Sequence, residues 1–133
     1  MLFRSVGKLS VDRLREMNDE AFRERVKFLR AEAKRLGRDP DAIKISNVML
    51  VFMVVDTAAA ARQAIEGMCA AYNIDPEVLL ASPVVMIGTP EQCATELKRR
   101  AKNWGVSQFV FSSLLGMDEK QIRRVREEII PQI

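Results

Sequence analysis

The chain has 133 residues, of which 48% are apolar and 29% charged, a composition that fits one folded domain and excludes a disordered chain. It contains no histidine, which excludes a Ser-His-Asp triad, a Cys-His pair and every histidine-based metal site. The net charge of +3 is spread over helices in which basic and acidic residues alternate, so the one-signed surface of a nucleic-acid-binding protein is not expected.

The first predicted helix runs from about Asn18 to Leu36. Asn18 or Asp19 can cap its start, because a short oxygen-bearing side chain accepts from the free backbone N–H groups there. Gly37 can end it in a left-handed conformation. Residues 1–17 before it form a poorly defined N-terminal segment, whose last part extends the helix or forms a separate turn. The apolar positions recur at helical spacing: Phe22, Val26, Leu29, Ala33 and Leu36.

A buried strand and two helices follow. Residues 48–55 are continuously apolar, whereas a strand with one exposed face should alternate, so we predict a strand covered on both faces, as in a parallel sheet. A helix from about Thr57 to Tyr72 comes next, with Thr57 as its cap. Asp75 caps a short helix whose first residue is Pro76, where a missing N–H has no cost. The second helix has an apolar stripe: Ala61, Ile65, Met68 and Tyr72.

The clearest unit is GTPEQCATELKRRAKNWGVSQFVFSS, residues 88–113. Thr89 and Gln92 form a T-x-x-Q capping box, and Gly105 stops the helix. Its apolar stripe packs in a core or an interface, and the KRRAK run over residues 98–102 is predicted to be a solvated face. A second strand occupies residues 106–113. The stripe consists of Cys93, Leu97, Ala101 and Trp104.

The last predicted helix begins at Asp118, with Gln121 as its capping-box partner, and ends at Pro131. It should bury Ile122, Val125 and Ile129. The order of elements is then helix, strand, two helices, helix, strand, helix, which is typical of an α/β fold with parallel strands. Two strands leave open edges and cannot form a satisfactory parallel sheet alone. We therefore expect the chain to be the closing part of a larger structure.

The cysteines and the apolar runs bear on the compartment. Cys69 and Cys93 are far apart and each lies in a helical pattern, which favours two buried reduced thiols over a disulfide or a nucleophile. The longest apolar run, VMLVFMVV, has eight residues and is too short to cross a membrane. The first ten residues lack a signal-peptide core. We predict a cytoplasmic protein without membrane or nucleic-acid partners.

Three stretches occur in a distinctive succession: LGRDPDAIKIS, VVDTAAAARQAIEG and SPVVMIGTPEQCATELKRRAKNWGVSQFVF. This succession resembles the C-terminal region of the luciferase-like monooxygenases, which are flavin- or deazaflavin-dependent oxidoreductases built on a (β/α)₈ TIM barrel. The G-T-P-E-Q start followed by W-G-V-S is similar to the family's seventh barrel helix leading into its eighth strand. NIDPEVLLASPVVMIGT is similar to a deazaflavin-dependent branch. The resemblance implies that residues 18–133 are a C-terminal barrel portion with two parallel strands and flanking helices.

The resemblance also implies a cofactor and a site. The cofactor would be the deazaflavin coenzyme or FMN, and barrels often bind a cofactor phosphate in the loops after strands seven and eight. Ser112, Ser113 and Gly116 are then the candidate cofactor-binding residues, and the alternative is a polar loop leading into a helix. Asp56 and Thr57 are expected to cap the following helix. No catalytic or metal-binding residue is assigned.

Three functions stay open at this point. The first is an oxidoreductase of the luciferase-like type, inactive as this chain alone because the family's early strands are missing. The second is a non-catalytic α/β module that packs with a partner chain or a second copy. The third is an unrelated small α/β binding protein. Under the first two, we expect self-association or a missing N-terminal half, and a flavin-type cofactor only with the full barrel.

Overall fold

The computed structural model describes residues 11–113, 116 and 118–133, so the prediction for the first ten residues lies outside the described residues. The helices are α1 (Val11–Glu16), α2 (Asp19–Arg35), α3 (Ala58–Tyr72), α4 (Pro76–Ala81), α5 (Pro90–Trp104) and α6 (Glu119–Arg124). The strands are β1 (Ser46–Met49), β2 (Val51–Val54), β3 (Val85–Gly88) and β4 (Gln108–Phe111). A 3₁₀ turn covers Pro40–Ala42, and α6 continues as a π-helical turn, Val125–Ile129, and a 3₁₀ turn, Ile130–Gln132.

The helix starts follow the predicted caps in most cases. Thr89 and Gln92 form the complete capping box of α5, and Thr57 accepts from the N–H of the third residue after it, at the start of α3. Asn18 caps α2, so α1 is a separate turn of helix. Asp75 precedes α4 without a side-chain cap hydrogen bond, so the cap predicted there is wrong.

The predicted strand over residues 48–55 is two strands, β1 and β2, separated at Leu50. β1 pairs in parallel with β4, with Val48 opposite Val110, which confirms the predicted parallel neighbours. β2 pairs in parallel with β3, with Val51 opposite Val85. β3 has no counterpart among the predicted strands, and two parallel pairs therefore replace the single pair of neighbouring strands expected.

A β-bulge at Leu50 separates the two pairs. The carbonyl of Met49 accepts from the N–H of Ser112 on the β4 side at 3.1 Å. The next two N–H groups, of Leu50 and Val51, both donate to the Val84 carbonyl on the β3 side, at 2.8 and 3.0 Å. In a regular strand, the backbone N–H groups of successive residues point to alternate edges. Two successive N–H groups directed to the same edge therefore mark an extra residue. β3 and β4 therefore lie on opposite edges of the β1–β2 chain.

Two apolar cores lie on the two faces of these strands. The first packs α5 and the C-terminal helix against the strands and contains Met49, Phe52, Val54, Met86, Cys93, Ala94, Leu97, Val125 and Ile129. The second packs α1, α3 and α4 on β2 and β3 and contains Leu14, Val51, Cys69, Ile74, Leu79, Val84 and Val85. The matching face of β1 and β4 is uncovered, with Val48 and Val110 41% and 40% exposed. The prediction that other elements cover both faces of this strand is thus confirmed for β2 and wrong for β1.

Several predicted core positions lie at the surface. These are Leu29 on α2, Leu36 directly after it, Tyr72 on α3 and Ile122 on α6, each of which is exposed. Both cysteines are buried and free, as predicted. In the described part of the chain, no helix combines the length and the apolar character that crossing a membrane requires.

Candidate functional site

The C-terminal end of β2 is held by α6. The side-chain amide of Gln121 accepts from the N–H of Val54 at 2.9 Å and donates to its carbonyl at 3.2 Å. Gln121 is therefore not the capping-box partner predicted, although Asp118 does accept from its backbone N–H. Arg124 donates to the same carbonyl at 3.3 Å and pairs with Asp56 at 3.0 Å. One edge of β2 thus pairs with β3 and the other with side chains, which corrects the expectation of open edges on this strand.

The residues that follow β2 and the residues that follow β4 lie at different heights along the strands. Because Met49 lies opposite Phe111, Ser112 is level with the bulge and not with Asp56. Asp56 lies six positions beyond Leu50 along extended chain, a distance on the order of 20 Å. Thr57 caps α3, as predicted, whereas the carboxylate of Asp56 pairs with α6.

The loop after β4 holds the three candidate cofactor residues. The N–H of Ser112 donates to the carbonyl of Met49, and the N–H of Gly116 donates to the carbonyl of Ser113, both at 3.1 Å. Gly116 has a φ of 88°, a left-handed conformation that costs energy in residues other than glycine. Open space surrounds the position that a Cβ would occupy there. The backbone donors of Ser112 and Gly116 are thus already engaged.

A buried arginine lies under the strands and was missed from the sequence. Arg100, in the KRRAK run, is 2% exposed, so the predicted solvated face is wrong at this residue. Its guanidinium donates to Glu96 at 2.8 Å and to the side-chain oxygen of Asn47 at 3.0 Å. It also donates to the carbonyls of Pro83 and Val85 at 2.8 and 2.9 Å. Two features of the sequence fit this burial: a Glu four residues before Arg100, and Asn47, a polar residue directly before the apolar run of residues 48–55.

The ion pairs continue from Arg100 to α2. Glu96 also accepts from Arg99, which donates to Asp19 at 2.7 Å. Burial alone raises the pKa of the Glu96 carboxyl, but the hydrogen bonds from both arginines outweigh it and hold the pKa below its ordinary value. Burial lowers the pKa of Arg100, and the hydrogen bond and the charge of Glu96 oppose this shift. The ordinary pKa of arginine is so high that Arg100 stays charged despite this shift. The ion pairs and hydrogen bonds therefore connect α5 to α2 and to the strands.

Trp104 packs at the far end of α5, as predicted. It is buried and stacks on Phe22 with ring centroids 4.7 Å apart. Its indole N–H donates to Asp19 at 2.6 Å, and the guanidinium groups of Arg99 and Arg100 lie 5.3 and 5.0 Å from the ring centroid. The indole is therefore used in packing α5 on α2 and not in a cofactor pocket.

The thiol of Cys93 is not a nucleophile in this setting. It lies 1% exposed in the core under α5, and burial raises its pKa to about 12. A thiolate is the reactive form, so the thiol stays protonated and inert at neutral pH. Among the described residues, no cluster of His, Cys, Asp and Glu side chains could hold a metal ion.

Comparison with solved structures identifies the fold. A riboflavin lyase (RcaE), solved with modified FMN and its substrate riboflavin, matches with a TM-score of 0.55 and 18% identity over 94% of this chain and 36% of its own. A long-chain alkane monooxygenase (LadA) matches with a TM-score of 0.57 and 18% identity over 87% of this chain and 34% of its own. No protein-family model matches the sequence, and no curated protein matches it significantly. The chain thus has the fold of about a third of these luciferase-like barrel proteins.

Proposed function

We propose that this chain forms the closing sector of a luciferase-like barrel and that it takes part in flavin- or deazaflavin-dependent oxidoreduction when the remaining strands are supplied. The observation that carries the proposal is the β1–β4 pair. Helices cover one face of this parallel pair, while the other face bears the exposed valines Val48 and Val110. A barrel strand has this arrangement, with helices outside and apolar side chains directed to the interior.

The cofactor part of the proposal rests on the loop after β4. The hydroxyls of Ser112 and Ser113, with the left-handed turn at Gly116, are the proposed contacts to a phosphate of FMN or of the deazaflavin coenzyme. The cofactor would carry the redox step, and the protein would orient it and exclude water. The free thiols Cys69 and Cys93 fit a reducing compartment, and we propose a cytoplasmic location.

The test compares the chain alone with a chimaera that joins it to the first six βα units of the alkane monooxygenase. FMN and deazaflavin binding are followed by fluorescence, and light scattering reports the size of each species. We expect binding by the chimaera and none by the chain alone, because two strand ends supply few contacts against the entropic cost of ordering a cofactor. Val48→Lys in the chimaera should abolish binding, since it places a charge in the barrel interior.

The opposite result would be a monodisperse monomer of this chain that binds either cofactor at micromolar concentration. Such a monomer would overturn the closing-sector proposal. The second candidate function, a non-catalytic module, is favoured by the same exposed face of β1 and β4. A discrete dimer of the chain alone, together with a folded chimaera that binds no cofactor, would support that module instead.

A further inference from the structure

A cleft of about 520 Å³ lies between α3 and α5, on the opposite edge of the strands from the loop after β4. Its α3 wall is apolar and is formed by Ala58, Ala61 and Ile65, with Leu80 of α4 at one end. Its α5 wall is polar and carries Gln92, Glu96 and Arg99. The volume lies within the range of roughly 300–1,000 Å³ that small-molecule sites occupy. The cleft is therefore large enough for a ligand with one apolar and one polar side.

The floor of the cleft is the outer edge of β3. In the ladder with β2, the Val84 carbonyl accepts from β2, and the Gly88 carbonyl does the same from Val55 at 2.9 Å. Since alternate residues point to alternate edges, the amides of Val85 and Ile87 point away from β2. Val85 is satisfied, because its N–H donates to Ser82 and its carbonyl accepts from Arg100. The N–H of Ile87 lies on the same outer edge.

The charges around the cleft are unbalanced. Arg62, Arg99 and Arg100 border it, against the single carboxylate of Glu96. Arg99 and Arg100 both donate to that carboxylate. Within the part of the chain that the structure describes, no carboxylate lies within 4.0 Å of the Arg62 guanidinium. An anion in the cleft would thus find an available cation beside an apolar wall.

We propose that this cleft binds an amphipathic monoanion of the alkyl carboxylate class. The alkyl chain lies along Ala58, Ala61 and Ile65, and the carboxylate pairs with Arg62. The site uses α3, α5 and β3 and none of the candidate cofactor residues after β4, so its test on the chain alone does not depend on cofactor binding. A neutral alcohol of the same length retains the apolar contacts and loses the ion pair. An alkyl ammonium meets an excess of positive charge.

The experiment is calorimetric titration of the full chain with decanoate, decanol and decyltrimethylammonium, each below its micelle-forming concentration. We expect decanoate to bind roughly tenfold more tightly than decanol, the effect of about one charge-assisted hydrogen bond, and the ammonium not to bind. Arg62→Gln should reduce decanoate binding to the level of decanol. Arg126→Gln is the matched control, because Arg126 is an exposed arginine away from the cleft, and it should change nothing.

A second variant separates the cleft from other apolar surfaces. Ala58 is exposed at the first turn of α3, so Ala58→Phe can occupy the cleft, and an unchanged thermal melt verifies that the variant is folded. It should abolish decanoate binding, whereas Val48→Thr on the bare strand face should leave binding intact. The proposal is overturned if decanoate does not bind, if the ammonium binds equally well, or if folded Ala58→Phe binds as the unchanged chain does.

Discussion

The side-chain amide of Gln121 binds the backbone of Val54 as a neighbouring strand would, with one hydrogen bond accepted at 2.9 Å and one donated at 3.2 Å. Both polar groups of Val54 on that edge are satisfied by a residue 67 positions later in the chain. The pairing keeps α6 on the end of β2 and removes a free strand edge that could pair with another chain.

Gln121→Leu should therefore destabilise the fold by about 1–3 kcal/mol, because it leaves a buried N–H and carbonyl without this partner. Gln121→Glu retains the acceptor and loses the donor, so its effect should lie between those of Gln121→Leu and the unchanged chain. Denaturant unfolding measures the loss, and amide exchange at Val54 should accelerate in both variants. Gln63→Leu, on the exposed side of α3, is the control. Equal stability of Gln121→Leu and Gln63→Leu would show that the two hydrogen bonds contribute nothing.

Replacement of Arg100 should be the most damaging single change on α5. Arg100→Met removes the buried donor to Glu96 and to the carbonyls of Pro83 and Val85, and we expect a loss of about 3–5 kcal/mol in the free energy of unfolding. Arg100→Lys should recover only part of it, because an ammonium cannot reproduce the planar fork that reaches Asn47, Pro83 and Val85 together. Arg126→Met serves as the exposed control. Full stability of Arg100→Lys would show that the charge alone matters.

Thr89→Ala should cost about 1 kcal/mol, since the Thr89 hydroxyl accepts from the N–H of Gln92 at the start of α5. Thr95→Ala lies in the exposed middle of the same helix, where alanine is the better helix former, and should cost nothing. Thermal melts of the two variants give a matched comparison. A melt of Thr89→Ala that coincides with that of Thr95→Ala would contradict the capping role.

Acid should weaken the contact between α2 and α5. Burial raises the pKa of Asp19, but hydrogen bonds from Arg99 and Trp104 outweigh it, so that the folded pKa lies below the ordinary value, as for Glu96. Because the folded pKa values are lower, the unfolded chain binds more protons in acid than the folded chain does. The stabilisation by these two carboxylates is therefore present above the ordinary carboxyl pKa of about 4. It is lost as the pH falls through the lower pKa values of the folded state. Unfolding free energies measured from pH 7 to pH 3 should show the decline, and Glu96→Gln should make it shallower. An unchanged slope in Glu96→Gln would exclude Glu96 as a source.

The helices could be predicted because their determinants are local. Asn18, Thr57, Thr89 and Asp118 each cap a helix through a residue three positions later, so sequence spacing contains the whole interaction. β3 was missed because its apolar run, residues 84–87, is only four residues long and lies next to the strong helix start at Thr89, so periodicity cannot distinguish a strand from a buried helix segment there. Its strand conformation depends on pairing with β2, more than thirty residues earlier.

The polar contacts could not be predicted for the same reason. The burial of Arg100 depends on Asn47, 53 positions away, and the partner of Gln121 is a strand amide and not its own helix start. At the candidate cofactor loop, the residue types of Ser112 and Gly116 suggested free backbone donors. The β4 ladder and the turn that follows it use those donors.

The bulge at Leu50 shifts by one residue the alternation of side chains between the two faces of the β1–β2 chain. Residues before it and residues after it face the same core only because one extra position shifts the alternation, so that Met49, Phe52 and Val54 share one face. Deletion of Leu50 would remove this extra position and leave Met49, Phe52 and Val54 on one face of a strand with regular alternation. Deletion of a residue within β2, beyond the bulge, would instead send the residues after it to the opposite face, whereas the same change in the turn between α2 and β1 would alter only the length of a connection.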